Sequence, residues 1–236
     1  MEARKETGGG VFVVNPDSNI CYIVGAMSLT PDLRPYPTRG DYVIAADRGF
    51  DSLMAYGVTP DLAVGDFDSL GHRPNHPNVI QLPVEKDDTD MVYAIRKGLD
   101  LGYRRFVLLG GVGGRLEHTL GNLQLLDWLA RQGGQGFLAG EKTVATCVRG
   151  GKTVTFPPTM EGYLSVFCNS GAAEGVTLTG LKYPLDGYTL TGDFPLGVSN
   201  QFLGTEAGVS CKTGSLLLIW KDAGDFYAKL PRLWAQ

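Results

Sequence analysis

The first half of the sequence alternates short apolar runs with patterns typical of amphipathic helices. The apolar runs are predicted to form strands at residues 21–25, 42–46, 79–82 and 105–109. Between them, apolar residues recur with the period of a helix. The predicted helices cover residues 48–56, 89–101 and 116–129. Strands that alternate with helices imply crossover connections, and these connections build a mostly parallel sheet.

The spacing of the apolar residues also predicts which face of each longer helix is buried. Val92, Ile95 and Leu99 share one face of the second predicted helix. The corresponding face of the third helix carries Leu116, Leu120, Leu123 and either Leu126 or Leu125. Such one-sided patterns are typical of helices that pack against a core.

After residue 140 the sequence changes to short β-prone runs separated by glycine and proline turns. Strands are predicted at residues 143–148, 153–156, 164–168, 176–178, 209–212 and 216–220, and no helix is expected there. Regularly spaced short strands favour an antiparallel sandwich or barrel. The expected fold is therefore an N-terminal mostly parallel α/β domain, residues 1–140, followed by a C-terminal antiparallel β-sandwich domain, residues 141–236.

Composition excludes several classes of protein. Hydrophobic residues make up 43% and charged residues 19%, as in ordinary globular proteins. The net charge of −4 argues against a nucleic-acid partner. The four cysteines form no CxxC pair, which argues against a zinc cluster or disulfide framework. No apolar run is long enough to span a membrane or form the core of a signal peptide, so we expect a cytoplasmic protein with no membrane partner.

Two carboxylates separated by one residue form the first candidate site. In the segment 65–69, Asp66 and Asp68 would point to the same side of an extended chain, roughly 6.8 Å apart. Both could then reach one hard cation, directly or through its waters, and Mg²⁺ prefers a few carboxylates together with water and phosphate oxygens. The alternative is a solvated acidic turn.

A second acidic cluster, residues 86–90, stands at the start of a predicted helix. Asp88 or Thr89 could be an ordinary N-cap and Asp90 a favourable charge in the first turn. That interpretation leaves Lys86 unexplained. A cation beside carboxylates at a helix N-terminus would suit a phosphate group and its metal ion together.

A glycine-rich segment, residues 110–115, lies between a predicted strand and the third predicted helix. Gly111 and Gly113 would let backbone amides approach phosphate, and Arg115 could grip phosphate oxygens with its guanidinium fork. His118 and Asn122 follow on the helix. The alternative is a tight turn without a ligand. Because all three clusters follow strands of a parallel sheet, we expect them to meet at the carboxyl edge and to support Mg²⁺-dependent phosphoryl transfer.

At these residues the sequence resembles the thiamine pyrophosphokinases. The matching segments, in the order expected for that family, are 46–49, 60–61, 65–69, 87–90, 113–118 with Asn122, and 197–200. One departure is visible, since the family usually has aspartate where this chain has Glu117. The resemblance implies an α/β domain, a β-sandwich, and a homodimer whose site lies at the junction of domains and subunits, where ATP and thiamine meet.

The resemblance also implies roles for individual residues. Those expected to bind Mg²⁺ are Asp66, Asp68, Asp87 and Asp90. Together with the residues argued above, the expected ATP and phosphate contacts are Asp47, Arg48, Gly49, Lys86, Thr89, Gly111, Gly113, Arg115, His118 and Asn122. Asp66, Asp68, Asp90 and Arg115 are the expected catalytic residues. Ser199 and Asn200 match the family's thiamine pocket, and Tyr183 is the aromatic residue expected to join them.

The reaction implied is attack of the thiamine hydroxyl on the β-phosphorus of ATP, with AMP as the leaving group. Three alternatives stay open at this point. The acceptor could be another hydroxymethyl heterocycle, the protein could bind nucleotide without turning it over, or Asp66 could act as the covalent nucleophile of a phosphatase. The sequence does not identify a general base.

Overall fold

The computed structural model describes residues 4–7, 10–85 and 87–236. The strands are β1 (Arg4–Thr7), β2 (Gly10–Val13), β3 (Ile20–Val24), β4 (Tyr42–Ala46), β5 (Leu62–Gly65), β6 (Val79–Gln81), β7 (Arg105–Leu109), β8 (Gln135–Ala139), β9 (Thr143–Arg149), β10 (Thr153–Phe156), β11 (Tyr163–Cys168), β12 (Ala172–Thr179), β13 (Leu185–Thr191), β14 (Gly197–Gln201), β15 (Ala207–Ser210) and β16 (Ser215–Lys221). The helices are α1 (Gly49–Ala55), α2 (Asp90–Asp100), α3 (Leu116–Arg131) and α4 (Phe226–Leu233), with a short 3₁₀ turn at Pro31–Leu33. Within the described residues, no helix is long and apolar enough to cross a membrane.

The chain divides into two compact units. One comprises the residues up to Asn122 together with Leu138–Glu141, and the other comprises Leu123–Phe137 and Lys142–Gln236. In the first unit, neighbouring strands follow the order β7-β3-β4-β5-β6, and all four pairings are parallel. The continuous apolar runs of β3, β4 and β7 are almost completely buried, as expected for strands covered on both faces. The predicted mostly parallel α/β sheet is confirmed.

The predicted buried face of α2 is displaced by about one residue. The structure buries Met91, Ala94, Ile95 and Gly98, whereas Val92 and Leu99 are half-buried. Gly98 explains the difference, because a Cβ there would lie 2.6 Å from the Phe106 ring and 2.9 Å from Cys21 Sγ. The helix backbone therefore approaches the sheet at the glycine, and this contact sets its rotation.

The first two turns of α3 are more exposed than the pattern predicts. Leu116 and Leu120 are 79% and 56% exposed, whereas Leu126 and Leu129 are fully buried. Only the second half of this helix packs into a core. Its first half is left accessible beside the glycine-rich segment that precedes it.

The second unit contains two antiparallel sheets. One has the order β14-β11-β16-β9 and the other β10-β15-β12-β13. Their inner faces meet through aromatic side chains, since the Phe156 ring lies 5.3 Å from the Trp220 ring in an edge-on arrangement. Phe156 is on the second sheet and Trp220 on the first, so the predicted β-sandwich is confirmed.

The prediction that no helix follows residue 140 is wrong. Helix α4 closes the chain and buries Phe226, Leu230 and Leu233. Its neighbour Trp234 packs edge-on against Phe137 at 4.9 Å. The helix is short and carries Pro231, a residue that usually ends or kinks a helix, so the local sequence argues against a helix here. Strands β1, β2, β5, β8, β13 and β14 were also not predicted.

Candidate active site

The acidic and glycine-rich segments follow strands β4 to β7, which are consecutive along the chain and belong to the parallel sheet. Asp47 comes directly after β4, Asp66 directly after β5, and the glycine-rich segment directly after β7. The segment leading to Asp90 connects β6 to α2. Because these strands are parallel, all four segments leave from the same edge of the sheet. The structure thus gathers the predicted clusters at the carboxyl ends of the strands.

Three carboxylates lie close enough to share one cation. Asp47, Asp66 and Asp68 each offer an oxygen within 4.8 Å of the others. Phe67 lies between Asp66 and Asp68 in the sequence. It adopts a left-handed backbone conformation with φ of 60° and buries its ring. That conformation is unfavourable for a bulky residue and is found mostly where function requires it. It turns the phenylalanine into the core and leaves both carboxylates on the same side.

The two carboxylate oxygens of Asp47 differ in their hydrogen bonding. Its Oδ2 accepts from the Ser69 hydroxyl, whereas its Oδ1 is buried and has no hydrogen-bond partner in the part of the chain that the structure describes. Its backbone is left-handed, with φ of 50°, and its N–H donates to Val64 O at 2.8 Å. Gly65 permits this approach, since a Cβ there would lie 3.1 Å from the Asp47 backbone. A buried carboxylate oxygen without a donor suits a cation.

The sequence predicts Asp47 in the nucleotide site, and the structure also brings its carboxylate beside those of Asp66 and Asp68. Among the described residues, Asp87 and Asp90 are not members of this three-carboxylate group. Asp87 is exposed, and Asp90 occupies the first position of α2. Asp87 precedes α2 and Asp90 opens it, on the connection from β6 to α2. Lys86 lies outside the described residues.

The N-terminus of α2 has a regular cap. Thr89 is the N-cap residue, and its hydroxyl accepts a hydrogen bond from Val92 N at 3.3 Å. Asp88 is ion-paired with Arg96. The capping interpretation of Thr89 is therefore correct, and its hydroxyl still has a hydrogen to donate.

The glycine-rich segment is held by side chains of the helix that follows it. Thr119 Oγ1 accepts from Gly113 N at 3.1 Å and donates to Gly113 O at 3.3 Å. Asn122 Nδ2 donates to Gly111 O at 2.8 Å. Gly110 meets Gly25 backbone to backbone, because a Cβ on Gly110 would lie 2.7 Å from Gly25 O. These contacts fix the loop from both sides.

Arg115 is ion-paired at the start of α3. Its Nε donates to Glu117 Oε1 at 2.6 Å, and both side chains are mostly exposed. Hydrogen bonds from the backbone N–H of Glu117 and from Arg115 lower the pKa of Glu117. His118 is exposed next to this pair. The remaining guanidinium nitrogens of Arg115 are additional donors of the kind that binds phosphate.

Arg48 and Gly49 lie at the start of α1. Arg48 is exposed at the N-cap, and Gly49 packs against the end of β3, where a Cβ on Gly49 would lie 1.9 Å from Val24 O.

The residues expected to bind thiamine lie in the second unit. Ser199 and Tyr183 are exposed, and Tyr183 is 59% accessible. Asn200 is only 3% exposed, and its amide is hydrogen-bonded to the backbone of Tyr183. Ser165, on the neighbouring strand, accepts a hydrogen bond from Ser199 N.

Sequence reasoning missed the supporting residues Ser69, Thr119 and Ser165. Ser69 and Thr119 lie inside or beside segments that the sequence did single out, so their hydroxyls could have been proposed as partners of the neighbouring loops. Ser165 could not have been found, because its partner is 34 residues away in sequence and depends on the strand register.

Two family models match this chain. The description "Thiamin pyrophosphokinase, catalytic domain" matches residues 34–135, and "Thiamin pyrophosphokinase, vitamin B1 binding domain" matches residues 152–217. The thiamine pyrophosphokinase of Bacillus subtilis (strain 168) is 29% identical over 212 residues, which cover 83% of this chain and 94% of that protein.

Solved structures agree with these matches. The crystal structure of the thiamine pyrophosphokinase from Bacillus subtilis aligns with a TM-score of 0.76 at 28% identity, covering 86% of this chain and 99% of that one. The thiamin pyrophosphokinase from Geobacillus thermodenitrificans aligns with a TM-score of 0.71 at 31% identity, covering 86% and 97% of the respective chains. The protein described here therefore belongs to the thiamine pyrophosphokinase family of kinase-type transferases.

Proposed function

We propose that this chain transfers the terminal pyrophosphoryl group of ATP to the hydroxyl of thiamine in a Mg²⁺-dependent reaction, which gives thiamine diphosphate and AMP. The observation that carries the proposal is the grouping of the Asp47, Asp66 and Asp68 carboxylates at the carboxyl edge of a parallel sheet. Carboxylates this close together repel one another unless a cation or a proton lies between them. The buried Asp47 Oδ1 adds an oxygen whose burial a cation would compensate.

The three grouped carboxylates would hold Mg²⁺, and the bound ion would supply charge neutralisation at the β- and γ-phosphates. Asp87 and Asp90 are proposed to extend this acidic surface at the start of α2. Asp90 places a carboxylate in the first turn of the helix, where the helix dipole favours an anion.

Backbone amides and cationic side chains of the first unit are proposed to bind the phosphates of ATP. The glycine-rich segment supplies the amide of Gly111, and Arg115 supplies a fork with several donors. The Gly113 amide already donates to Thr119, so Gly113 is proposed to line the phosphate site without donating to it. The other proposed contacts to ATP are Arg48, Gly49, Lys86, Thr89 and His118. Asn122 would act through Gly111, because its amide is hydrogen-bonded to that carbonyl.

In the chemical step, the hydroxyl oxygen of thiamine forms a bond to the β-phosphorus of ATP. The bond from that phosphorus to the oxygen bridging it to the α-phosphate breaks, and AMP departs with that oxygen. Arg115 would stabilise the charge that develops on the transferred group. The hydroxyl proton leaves late in a loose transition state, so no strongly basic side chain is required.

We propose that residues 1–140 handle ATP and Mg²⁺ and that residues 141–236 hold thiamine and form the dimer. Ser199 and Tyr183 offer an exposed hydroxyl and an exposed aromatic ring for a cationic heterocycle. Exposed apolar side chains at Phe194, Leu196 and Val198 suit the interface of a homodimer. A cytoplasmic location is proposed because ATP, the donor, is abundant there.

Product analysis tests the proposal. The protein is incubated with ATP, Mg²⁺ and thiamine, and the products are identified by mass. We expect AMP and thiamine diphosphate in equal amounts and no turnover with chelator. ADP with thiamine monophosphate would refute attack at the β-phosphorus. Turnover only with another hydroxymethyl heterocycle, phosphate release without an acceptor, or binding without turnover would each favour one of the three alternatives.

A further inference from the structure

The strand that carries Ser199 contains a β-bulge. Along β11 and β14, Leu164 pairs with Asn200 and Val166 pairs with Gly197. One residue of β11, Ser165, therefore stands opposite two residues of β14, residues 198–199. A bulge of this kind re-aims a side chain and is common beside functional sites.

Ser165 supports the unusual backbone of the bulge. Ser199 is left-handed, with φ of 59°, a conformation that serine rarely adopts. Its N–H has left the regular ladder and donates to Ser165 Oγ at 3.1 Å. At the start of the strand, a Cβ on Gly197 would lie 2.1 Å from Val166 O, so the two strands approach closely just before the bulge. The Ser165 hydroxyl supplies the acceptor that the bulge needs.

Asn200 ties the backbone of Tyr183 to the same strand. Its Oδ1 accepts from Tyr183 N at 3.0 Å and from Gln201 N at 2.9 Å. Its Nδ2 donates to Tyr183 O at 2.7 Å. The side chain thus pairs with the Tyr183 backbone as a neighbouring strand would. Because Asn200 is 3% exposed and its oxygen already accepts two bonds, it is better placed to hold Tyr183 than to contact a ligand.

We propose that Ser165 and Asn200 are positioning residues for the acceptor: Ser165 fixes the direction of the Ser199 hydroxyl through the bulge, and Asn200 fixes Tyr183 beside it. The proposal rests on the assignment of Ser199 and Tyr183 to thiamine under the proposed function. It predicts that thiamine binding depends on a residue, Ser165, that does not itself touch thiamine.

Steady-state kinetics of Ser165→Ala and Ser165→Thr test this role. We expect Ser165→Ala to raise the thiamine KM by about 3- to 10-fold, the loss expected for one hydrogen bond, with the ATP KM unchanged. Ser165→Thr keeps the hydroxyl on a β-branched residue suited to a strand and should restore the thiamine KM. Rescue by threonine separates the loss of the acceptor oxygen from a general disturbance of the strand.

A double-mutant cycle with Ser199→Ala distinguishes failure of this inference from failure of the acceptor assignment. If Ser199 contacts thiamine and Ser165 acts through it, Ser165→Ala should add little to Ser199→Ala. A raised thiamine KM for Ser199→Ala with an unchanged KM for Ser165→Ala would overturn the positioning role alone. An unchanged KM for Ser199→Ala would overturn the acceptor assignment and the inference with it.

Hydrogen exchange gives a readout that does not use activity, and its result for the wild-type protein does not depend on how the variants fold. In the wild-type protein the Ser199 amide should be protected, because Ser165 accepts its hydrogen bond. The protection should fall in Ser165→Ala and return in Ser165→Thr. An unprotected Ser199 amide in the wild type would contradict the inference directly.

Discussion

The side-chain amide of Asn122 donates a hydrogen bond to the carbonyl oxygen of Gly111 at 2.8 Å. A Cβ on Gly111 would lie 2.9 Å from the same amide nitrogen, so the loop and the helix are fitted to each other at this point. Thr119 makes the corresponding contacts with Gly113 one turn earlier. Side chains of α3 therefore fix the conformation of the glycine-rich segment that precedes the helix.

Asn122→Asp should weaken ATP binding. The substitution keeps the size of the side chain but replaces the donor with a carboxylate that faces a carbonyl oxygen. We expect the ATP KM to rise by up to about 10-fold, the range for one partly buried hydrogen bond, with a smaller change in the thiamine KM. Gln124→Glu, the same chemical change at an exposed position of α3, is the matched control. Equal effects of the two variants would show that the added charge, rather than the loop contact, is responsible.

Arg115→Lys should lower turnover more than Glu117→Gln does. Lysine keeps the charge but loses the planar fork, so we expect kcat to fall by about 10- to 100-fold if the fork contacts the transferred group. The Arg115–Glu117 pair is exposed, and exposed pairs contribute little to stability, so Glu117→Gln should lower kcat by less than about 5-fold. A larger effect for Glu117→Gln would give that carboxylate a direct part in the reaction.

Asp66→Asn and Asp68→Asn should each lower turnover by at least ~10²-fold, the order seen when an electrostatic stabiliser of the transition state is removed. Neither should destabilise the free protein, because each substitution relieves repulsion within the carboxylate group. Thermal unfolding without Mg²⁺ checks the second expectation. Asp100→Asn, which removes an exposed carboxylate from α2, is the control. Near-wild-type rates for both variants would place the metal elsewhere.

Asp127 should make the stability of the folded protein fall in acid. Burial opposes ionisation of its carboxyl, but hydrogen bonds from Arg131 and Arg149 outweigh that effect and lower its pKa. A lowered pKa in the folded state stabilises the protein at neutral pH, and this stabilisation is lost as the pH falls through that pKa. The free energy of unfolding should therefore decline below about pH 4, the ordinary range of an aspartate.

Asp127→Asn should lower the free energy of unfolding at pH 7 by about 1 to 3 kcal/mol and flatten its acid dependence. The expected loss is smaller than for a fully buried pair because both arginines are partly exposed. Denaturant titrations across the acid range measure both effects, with Asp186→Asn as an exposed control from the same unit. If Asp127→Asn leaves the pH dependence of the free energy of unfolding unchanged, Asp127 is not the cause of the loss of stability in acid.

The sequence predicts those parts of the fold that depend on local patterns. The apolar runs that became β3, β4 and β7 are continuous and flanked by turn residues, and the segments after β4 and β7 carry motifs that the sequence singles out. Because the carboxyl ends of parallel strands share one edge, the meeting of those motifs also follows from the sequence.

The parts that could not be predicted depend on contacts distant in sequence. The joining of Asp47 to the Asp66 and Asp68 pair requires the strand order and two left-handed residues, Asp47 and Phe67, whose conformation no local pattern indicates. Leu116 is exposed although it continues the apolar pattern of the buried face of α3. The sequence pattern cannot distinguish the two cases, because exposure depends on which segments pack beside the helix.

Binding of Mn²⁺ in place of Mg²⁺ tests the central claim most directly. Mn²⁺ accepts the same oxygen ligands and is observed by electron paramagnetic resonance. In the presence of a non-hydrolysable ATP analogue, Asp47→Asn should weaken Mn²⁺ binding by at least about 10-fold, the order expected when one charged ligand is lost, whereas Asp100→Asn should leave it unchanged. Wild-type Mn²⁺ affinity in Asp47→Asn would contradict the assignment of the metal to the group formed by Asp47, Asp66 and Asp68.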